Sequence, residues 1–369
     1  MPPSTTAIPK LVPYSNAKQT RSFLLGQLFG TIQPLKPSEL PPDLPSRTII
    51  ITGSNTGLGF QAAKQLYTLG VGRLVLACRS PEKAEAARQD ILAQTPQSNG
   101  SQKQIVEVYE LDMASTTSIS KFVERVARDL DRVDAIVLNA GVDLVSYRKN
   151  EPQGYEMTIM VNVIGTFLLA VLMVPVLRKF ATEHRMVKPP RISIVGSAVH
   201  LTAKYEVLLQ AASSDEGVLR WLSDEGRWSG KIGEDRYFLS KAMVQMLVQQ
   251  LARRISNEGK DGHKPMVVVH ALSPGYCRTD LFQESSSVGS RIALKIIGWE
   301  ADVGGRALVV GAIAERGGEA SHGGYMSEGE LRQCSSWLET GQGKEVGDKL
   351  WAEMLDVVEG VQPGAIALI

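Results

Sequence analysis

Two side chains in the second half of the sequence have the types and the spacing needed for proton transfer to a carbonyl oxygen. Tyr237 and Lys241 are four residues apart in a segment with a helical pattern, YFLSKAMVQML, so both project from one face of the helix. A free tyrosine has a pKa of about 10 and is a poor acid or base near neutrality, but a neighbouring ammonium stabilises the phenolate and lowers that pKa. The pair is therefore suited to carbonyl reduction, in which the alkoxide formed by hydride transfer must take up a proton.

Ser197 is a third polar group for the same chemistry. It follows the segment RISIVG, which is predicted as a strand from Arg191, and its hydroxyl could hold a substrate oxygen near the Tyr237 hydroxyl. A Tyr and a Lys four residues apart are common by chance, so the pair alone would more often decorate a helix surface. The elements that must position these residues decide between the two interpretations.

A turn with three glycines near the start of the regular pattern is suited to a phosphate group. The apolar strand RTIIITG leads into it, and a helical stretch follows through Leu69. Glycine allows the backbone to turn tightly and approach a pyrophosphate, whose charge then faces the N–H groups of a helix N-terminus. The spacing differs from the common GxGxxG pattern, so a plain tight turn is the alternative. The predicted nucleotide-binding residues in this turn are Gly53, Asn55, Thr56, Gly57, Leu58 and Gly59.

The end of the second strand favours NADP(H) over NAD(H). Enzymes that prefer NAD usually place an Asp or Glu about 20 residues after the glycines, whereas a cation there suits a 2′-phosphate. This strand ends with Arg79 and no acid, and an arginine can stack on adenine and pair with the phosphate. A solvated strand-end arginine is the alternative. Asp112, after the third strand, is a candidate acceptor for the adenine amine, and Asn139, Ala140 and Gly141, after the fourth, would let the backbone pass close to the cofactor.

Apolar strands alternate with helical segments from residue 47 onward, which indicates a parallel sheet covered on both faces. No internal repeat of fixed period interrupts the pattern. We therefore expect an α/β fold, a single doubly wound domain over residues 47–369, with ligands outside the carboxyl ends of its strands. The other predicted strands begin at Arg73, Ile105, Val133, Arg191 and Met266, and the later helices cover 81–93, 115–130, 152–180 and 235–255.

Residues 1–46 form a predicted N-terminal extension, rich in proline and small polar residues, which suits an arm draped over the domain. Within it, residues 23–29 (FLLGQLF) could contact a lipid surface, another subunit or the body of the protein itself. No run approaches the roughly 18 to 20 apolar residues that a membrane-spanning helix requires, and the start of the chain lacks a secretory-signal pattern. We expect no transmembrane segment, with membrane-surface contact by 23–29 as an alternative.

The composition argues against several other kinds of partner. With 40 basic and 39 acidic residues, no global field attracts nucleic acid, and none is expected as a partner. Cys78, Cys277 and Cys334 lack CxxC spacing, so we expect free thiols in a reducing, cytoplasmic compartment and no metal site. The histidines without ligand spacing, interpreted as structural or surface residues, are His200, His270 and His322.

Taken in order, these motifs resemble those of the short-chain dehydrogenase/reductase family. The glycine turn, the Asn-Ala-Gly segment, the strand-end Ser, the Tyr-xxx-Lys pair and a later Pro-Gly fall at successive carboxyl ends of the predicted sheet, over about residues 47 to 330. The resemblance implies a Rossmann fold with a mainly parallel seven-stranded sheet. It also implies that Tyr237 is the acid/base, that Lys241 binds the nicotinamide ribose and lowers the pKa of Tyr237, and that Ser197 positions the carbonyl.

Two further assignments rest on the same resemblance. Asn162, in the apolar segment MVNVIGTFLLA, matches a helix asparagine that holds a proton-relay water. An amide in so apolar a helix needs buried partners, so a structural role is the alternative. The segment that begins with Pro274 and Gly275 resembles the loop that contacts the nicotinamide carboxamide, with Thr279 as the hydroxyl donor.

The resemblance is greatest to retinol-dehydrogenase-like enzymes and fungal biosynthetic reductases, because of the NTGLG turn, the Ala-Cys-Arg strand end and the late segment HGGYMSEGE. One departure is the interval of 40 residues between the Ser and the Tyr, which is longer than usual for the family. The insert, residues 200–234, carries Tyr205, Trp221 and Trp228. We expect it to add a wall to the substrate pocket, with packing onto the body as the alternative, and we expect residues 281–298 to form a lid.

The expected function is that of an NADP(H)-dependent ketoreductase or alcohol dehydrogenase. Its substrate would be a mid-sized lipophilic or aromatic ketone or secondary alcohol, in fungal secondary metabolism. A catalytically idle NADP(H)-binding sensor or scaffold is the alternative, although the joint presence of Ser197, Asn162, Tyr237 and Lys241 argues against it. Homo-oligomerisation stays open.

Overall fold

Strand β1 (Thr48–Thr52) shows how the sequence builds the central sheet of the computed structural model. All five of its residues are buried; Ile50 packs into one apolar cluster, whereas Ile49 and Ile51 pack into another. Because successive side chains of a strand point to opposite faces, this alternation shows that both faces of the sheet are covered. The structure describes residues 11–94, 104–229, 231, 234–257, 265–279 and 297–369.

Seven further strands belong to the same sheet as β1: β2 (Arg73–Cys78), β3 (Ile105–Glu110), β4 (Ala135–Leu138), β5 (Arg191–Val195), β6 (Val268–Ser273), β7 (Tyr325–Ser327) and β8 (Glu330–Arg332). Their spatial order is β3-β2-β1-β4-β5-β6-β7-β8. The chain thus winds outward from β1 to β3 and then returns to wind outward again from β4. The order reverses between β1 and β4, which is where a doubly wound sheet binds its ligand.

The helices that the structure describes are α1 (Ala17–Phe29), α2 (Gly57–Thr68), α3 (Pro81–Gln94), α4 (Thr116–Asp129), α5 (Met157–Glu183), α6 (Tyr205–Ala212), α7 (Val218–Leu222), α8 (Arg236–Asn257), α9 (Ala301–Ile313) and α10 (Gly341–Val361). Most of the apolar residues of α4, α5 and α8 belong to the cluster that contains Ile50, whereas those of α2 and α9 belong to the opposite cluster. Helices therefore cover both faces, and the predicted doubly wound α/β class is confirmed.

The strand count differs from the prediction, because the sheet has eight strands rather than seven. The added strand β8 is three residues long and is antiparallel to β7. The turn between them contains Glu328 and Gly329, whose φ values of 57° and 78° are those of a tight two-residue hairpin turn. The late segment HGGYMSEGE therefore ends the sheet with a hairpin.

Helix α5 begins at Met157 rather than at residue 152. Before it, residues 149–150 pair with 155–156 in a short antiparallel hairpin, and Gly154 occupies the turn with a φ of 73°. The Glu156 side chain accepts a hydrogen bond of 3.0 Å from the Ile159 amide, as an N-cap residue does. The cap and the turn together set the start of the helix.

By length and composition, α5 could cross a membrane, which differs from the expectation that no run approaches such a length. In the fold, 89% of its most apolar window is buried, and its side chains belong to the apolar cluster shared with α4 and α8. Its apolarity is accounted for by its place between the sheet and these neighbouring helices. A helix that is apolar all round is expected in the core of a protein of this size.

Candidate active site

One large cavity lies at the carboxyl ends of β1, β4, β5 and β6. Its volume is about 830 Å³, within the usual range for sites that bind small molecules and cofactors. It brings together all but two of the residues that the sequence analysis assigned to the site. The assigned residues that line it are Gly53, Asn55, Thr56, Gly57, Leu58, Arg79, Asp112, Asn139, Ala140, Gly141, Ser197, Tyr237, Lys241, Pro274, Gly275 and Thr279.

The glycine turn has the backbone geometry that the sequence predicts. Gly53 and Gly57 have φ values of 62° and 58°, in the left-handed region that side chains disfavour. A Cβ atom on Gly53 would lie 3.0 Å from the Cα of Ala140. Gly59 does not line the cavity, and a Cβ there would lie 2.6 Å from the carbonyl oxygen of Gly53. Gly59 therefore allows α2 to pack against the turn, and the other two glycines shape the turn itself.

Helix α2 begins at this turn and directs its first amides toward the cavity. Thr56 is the N-cap residue, and its side chain makes no capping hydrogen bond. The first N–H groups of a helix lack intrahelical partners, and the helix dipole favours an anion beside them. The start of α2 is thus suited to a phosphate group.

Two charged groups lie farther along the same cavity. Arg79 is exposed at the end of β2, and among the described residues no carboxylate pairs with its guanidinium. Asp112 is held in place because its Oδ1 accepts a 2.9 Å hydrogen bond from the Ala114 amide. Arg79 and Asp112 thus give this part of the cavity a cation and an oriented carboxylate, and Arg148 and Lys149 also line the cavity.

The predicted catalytic side chains meet at the other end of the cavity. Tyr237 and Lys241 extend from α8 and are both more than nine-tenths buried. The Ser197 hydroxyl, just after β5, hydrogen-bonds the Tyr237 side chain. Lys241 Nζ lies 5.5 Å from the centroid of the Tyr237 ring and donates to the carbonyl oxygen of Val195 at 2.8 Å. The hydroxyls of Ser197 and Tyr237 can thus contact one substrate oxygen, and the Lys241 amine lies next to them.

The pKa of Tyr237 moves in the direction opposite to the one expected from its spacing to Lys241. Burial raises it above the usual 10, and the Asp143 carboxyl adds to the rise, against a smaller lowering by the Ser197 hydrogen bond. Burial also lowers the pKa of Lys241 to about 8, since it penalises any charged form. The lone ammonium does not outweigh the desolvation of the phenolate. Tyr237 is therefore protonated at neutral pH and can act as a proton donor.

Asp143, which the sequence analysis did not single out, does not line the cavity but interacts electrostatically with two residues that do. Burial raises its pKa to about 7, the Asp235 carboxylate adds to the rise, and Lys241 opposes it. It also acts on both Tyr237 and Lys241. Its only signal in the sequence is an acid two positions after the Asn-Ala-Gly segment, which without a structure looks like a solvated loop residue. A carboxyl group that titrates near neutrality thus lies beside the catalytic pair.

Asn162 lies behind the cavity wall rather than in it. Its side-chain amide donates to the Val142 carbonyl at 2.9 Å and to the Ser240 hydroxyl at 3.1 Å, and its Oδ1 accepts from the Val142 amide at 2.8 Å. Both N–H donors are therefore used. It lies in a π-helical segment of α5, Met160–Gly165, a geometry often found near functional sites. These contacts give Asn162 a role in holding the loop after β4, which is the structural alternative.

Tyr205 and Trp221 of the insert pack onto the body of the protein, which was the alternative to a wall of the substrate pocket. No described residue of 200–234 lines the cavity. Tyr205 is fully buried and stacks on Trp337 with ring centroids 4.4 Å apart, and the Arg227 guanidinium lies 5.0 Å from the centroid of Trp221. Large rings gain more from dry packing against the body than from lining a cleft. Most of the expected lid, residues 281–296, lies outside the described residues.

The histidines take part in local hydrogen bonds, as the sequence analysis interpreted them. His200 is buried, which lowers its pKa to about 4. Its Nε2 accepts from the Ser335 amide at 3.2 Å, so the neutral ring donates through Nδ1 to the Ser197 carbonyl at 2.7 Å. His270 contacts the hydroxyls of Ser193 and Ser321. The free cysteines are Cys78, Cys277 and Cys334.

Comparison with known proteins shows which family this chain is similar to. The family model described as short chain dehydrogenase matches residues 47–184. The short chain dehydrogenase/reductase dmxR8 of Cryptosporiopsis sp. is 33% identical over 318 residues, 86% of this chain and 92% of that protein. The short-chain dehydrogenase anuD of Penicillium roqueforti is 34% identical over 348 residues, 93% of this chain and 84% of that protein.

A solved structure shares the fold at lower identity. The 3-oxoacyl-(acyl-carrier-protein) reductase of Agrobacterium tumefaciens, determined with NADP bound, is 19% identical, with a TM-score of 0.53 over 77% of this chain and 93% of that chain. Each match to a fungal relative covers most of this chain and most of the relative, at more than 30% identity. The chain therefore belongs to the short-chain dehydrogenase/reductase family of oxidoreductases.

Proposed function

We propose that the protein is an NADP(H)-dependent ketoreductase that converts a lipophilic or aromatic ketone of medium size into a secondary alcohol. The observation that carries the proposal is the meeting of a proton donor and a nucleotide site in one cavity. Tyr237, hydrogen-bonded to Ser197 and next to Lys241, lies at one end, and Arg79 and the glycine turn lie at the other.

The residues of the cavity fit the pyrophosphate and the adenosine part of NADP(H). The turn at Gly53 and Gly57 and the start of α2 suit the pyrophosphate, Arg79 suits the 2′-phosphate, and Asp112 suits the adenine amine. When bound, the cofactor supplies the hydride. The likeness to the NADP-bound reductase from Agrobacterium tumefaciens is one of fold, so the choice of NADP(H) over NAD(H) rests on Arg79.

The chain's own residues would then handle the substrate oxygen and its proton. Ser197 and Tyr237 would hold the carbonyl oxygen with two hydrogen bonds. Tyr237 would donate its proton as negative charge develops on that oxygen. Lys241, with a pKa of about 8, is largely charged at neutral pH and would stabilise the phenolate that remains. Because Tyr237 is protonated at neutral pH, the free site is ready to donate the proton that reduction requires.

The substrate class follows from the apolar part of the cavity wall. Phe23, Leu144, Met157, Val161 and Val199 line it, so a lipophilic or aromatic body would be desolvated on binding. Both relatives are fungal proteins, and a ketone from fungal secondary metabolism is part of the proposal.

We expect NADPH, and to a much smaller extent NADH, to be oxidised in the presence of bulky aromatic or alicyclic ketones. The measurement is a cofactor-absorbance screen across such ketones with both cofactors side by side, with small aliphatic ketones as the comparison set. An equal rate with NADH would contradict the cofactor assignment. NADPH binding without oxidation across the whole set would instead favour an idle cofactor-binding protein.

The affinity for NADPH is expected to fall as the pH rises above about 8. Lys241, whose pKa burial lowers to about 8, is proposed to hold the cofactor ribose in its charged form. Cofactor binding then favours the protonated form of Lys241. Kd should therefore rise by up to about tenfold per pH unit between the pKa of Lys241 in the free protein and its pKa in the complex. Fluorescence titration of NADPH across this range measures it.

Two variants separate the groups that titrate near this pH. Lys241→Met should bind NADPH more weakly and lose the rise in Kd above pH 8. Asp143→Asn should keep a rise in Kd but move it to lower pH, because the Asp143 carboxylate raises the pKa of Lys241. A rise that persists in Lys241→Met would show that another group controls binding.

A further inference from the structure

Helix α1 of the N-terminal extension contributes a buried amide to the edge of the cavity. Gln27 is only 3% exposed, although its neighbours Leu24, Leu25, Leu28 and Phe29 are between 45% and 84% exposed. A buried amide on an otherwise exposed helix needs partners. Gln27 finds them on the loop after β6, which begins at Pro274.

All three hydrogen bonds of the Gln27 side chain go to backbone groups of two segments beside the cavity. Its Oε1 accepts from the Tyr276 amide at 2.8 Å, and its Nε2 donates to the Tyr276 carbonyl at 3.0 Å and to the Ile297 carbonyl at 2.8 Å. These partners fix which end of the amide is which. Gln27 thus binds the backbone N–H and C=O groups of Tyr276, and it joins this loop to the segment at Ile297.

The backbone of Gln27 strengthens the same junction. Its carbonyl accepts from Trp299 Nε1 at 3.1 Å, and the Trp299 amide donates to the Tyr276 carbonyl at 2.8 Å. Gly275 has a φ of 84°, and a Cβ there would lie 2.7 Å from the Trp299 ring. The loop is therefore packed closely between the indole and helix α1, so that a small movement of α1 would move the loop.

Helix α1 also contacts the Ser197 side of the cavity. Asn16, directly before the helix, donates from Nδ2 to the Leu201 carbonyl at 2.8 Å, in the 3-10 turn that follows Ser197. Phe23, between the two anchors, lines the cavity itself. One helix thus connects the turn after Ser197 with the loop after β6, and one of its side chains forms part of the cavity wall.

We propose that Gln27 is a positioning residue for the loop of Tyr276, and that α1 is a structural part of the active site rather than a separate arm. Gln27 acts through the loop and does not contact the reacting atoms. As far as it concerns turnover, the inference rests on the proposed function, because this loop is the one assigned to the nicotinamide. As far as it concerns the geometry of the loop, it stands without a cofactor.

The test replaces Gln27 by leucine, which keeps the size of the side chain and removes its three hydrogen bonds. We expect faster hydrogen–deuterium exchange of the Tyr276 amide in the cofactor-free protein, and a kcat about 10- to 100-fold lower, as small misplacements at a reacting centre produce. KM for the ketone should change much less. Gln27→Glu, measured at a pH where the new carboxylate is ionised, places negative charge against the carbonyls of Tyr276 and Ile297, so we expect kcat to fall at least as far as in Gln27→Leu.

Gln19→Leu is the matched control, because it removes the same atoms from the same helix. Gln19 Oε1 has no hydrogen-bond partner among the described residues, so this variant should exchange and turn over like the unmodified protein. Exchange of the Tyr276 amide that stays slow in a folded Gln27→Leu protein would overturn the inference. The same holds if kcat changes no more than in Gln19→Leu. If the unmodified protein reduces no ketone, the proposed function fails while the exchange test still decides the role of Gln27.

Discussion

Replacing Tyr237 by phenylalanine is expected to lower kcat for ketone reduction by about 10²- to 10⁴-fold, the usual contribution of a positioned acid or base. The variant removes the one buried hydroxyl that is hydrogen-bonded to Ser197 and protonated at neutral pH. The ring keeps its packing and its place next to Lys241, whose amine is held separately by the Val195 carbonyl. NADPH affinity and thermal stability should therefore change little.

The measurement is kcat at saturating NADPH, together with NADPH titration and a melting curve for each variant. Tyr155→Phe is the matched control, since it removes the same hydroxyl from a buried tyrosine that does not line the cavity. We expect it to retain most of the turnover. Comparable turnover in Tyr237→Phe, or an equal loss in Tyr155→Phe, would contradict the role of the Tyr237 hydroxyl as proton donor.

The residues that the sequence analysis found are those whose signal is local. Gly53 and Gly57 follow directly from an apolar strand, and Tyr237 and Lys241 share a helix face, so their roles depend on contacts within a few residues. A parallel sheet then brings the carboxyl ends of its strands to one edge, so residues from several short sequence motifs line one cavity. Ser197 was predictable for the same reason, because it ends a strand.

Gln27 and Asp143 were not predictable, because their roles depend on contacts with distant parts of the chain. Gln27 lies about 250 positions before the loop that it holds, in an extension whose composition resembles a loose arm. Only tertiary packing shows that its amide is buried. The surface against which Tyr205 and Trp221 pack was not predictable for a related reason. Aromatic content shows that a segment will be buried, but not against which surface.

The pKa of Tyr237 shows a second limit of local patterns. Spacing to Lys241 predicts a lowered value, but burial is a property of the whole fold, and in this site it acts more strongly than one neighbouring charge. The same burial lowers the pKa of Lys241 to about 8. The sequence therefore identifies the pair, whereas the direction in which the pKa of Tyr237 moves follows only from the packed structure.

Replacing Arg79 by aspartate is expected to reverse the cofactor preference. The guanidinium lines the cavity at the end of β2, and among the described residues no carboxylate competes for it. Loss of a charge-assisted hydrogen bond to the 2′-phosphate costs about 1.5 to 3 kcal/mol, or about 10- to 150-fold in Kd, and the new carboxylate adds repulsion. NADH lacks that phosphate, so its affinity should stay the same or improve, because an acid at this position suits a ribose 2′-hydroxyl.

Titration of both cofactors against each variant measures the reversal. Lys121→Asp is the matched control, because it makes the same change of charge at an exposed position of α4 that does not line the cavity. A general electrostatic effect would weaken NADPH in both variants, whereas a contact with the 2′-phosphate would affect only Arg79→Asp. Equal weakening of NADPH and NADH in Arg79→Asp would place Arg79 on the shared part of the cofactor, the adenine or the pyrophosphate. The preference for NADPH would then have to come from another residue.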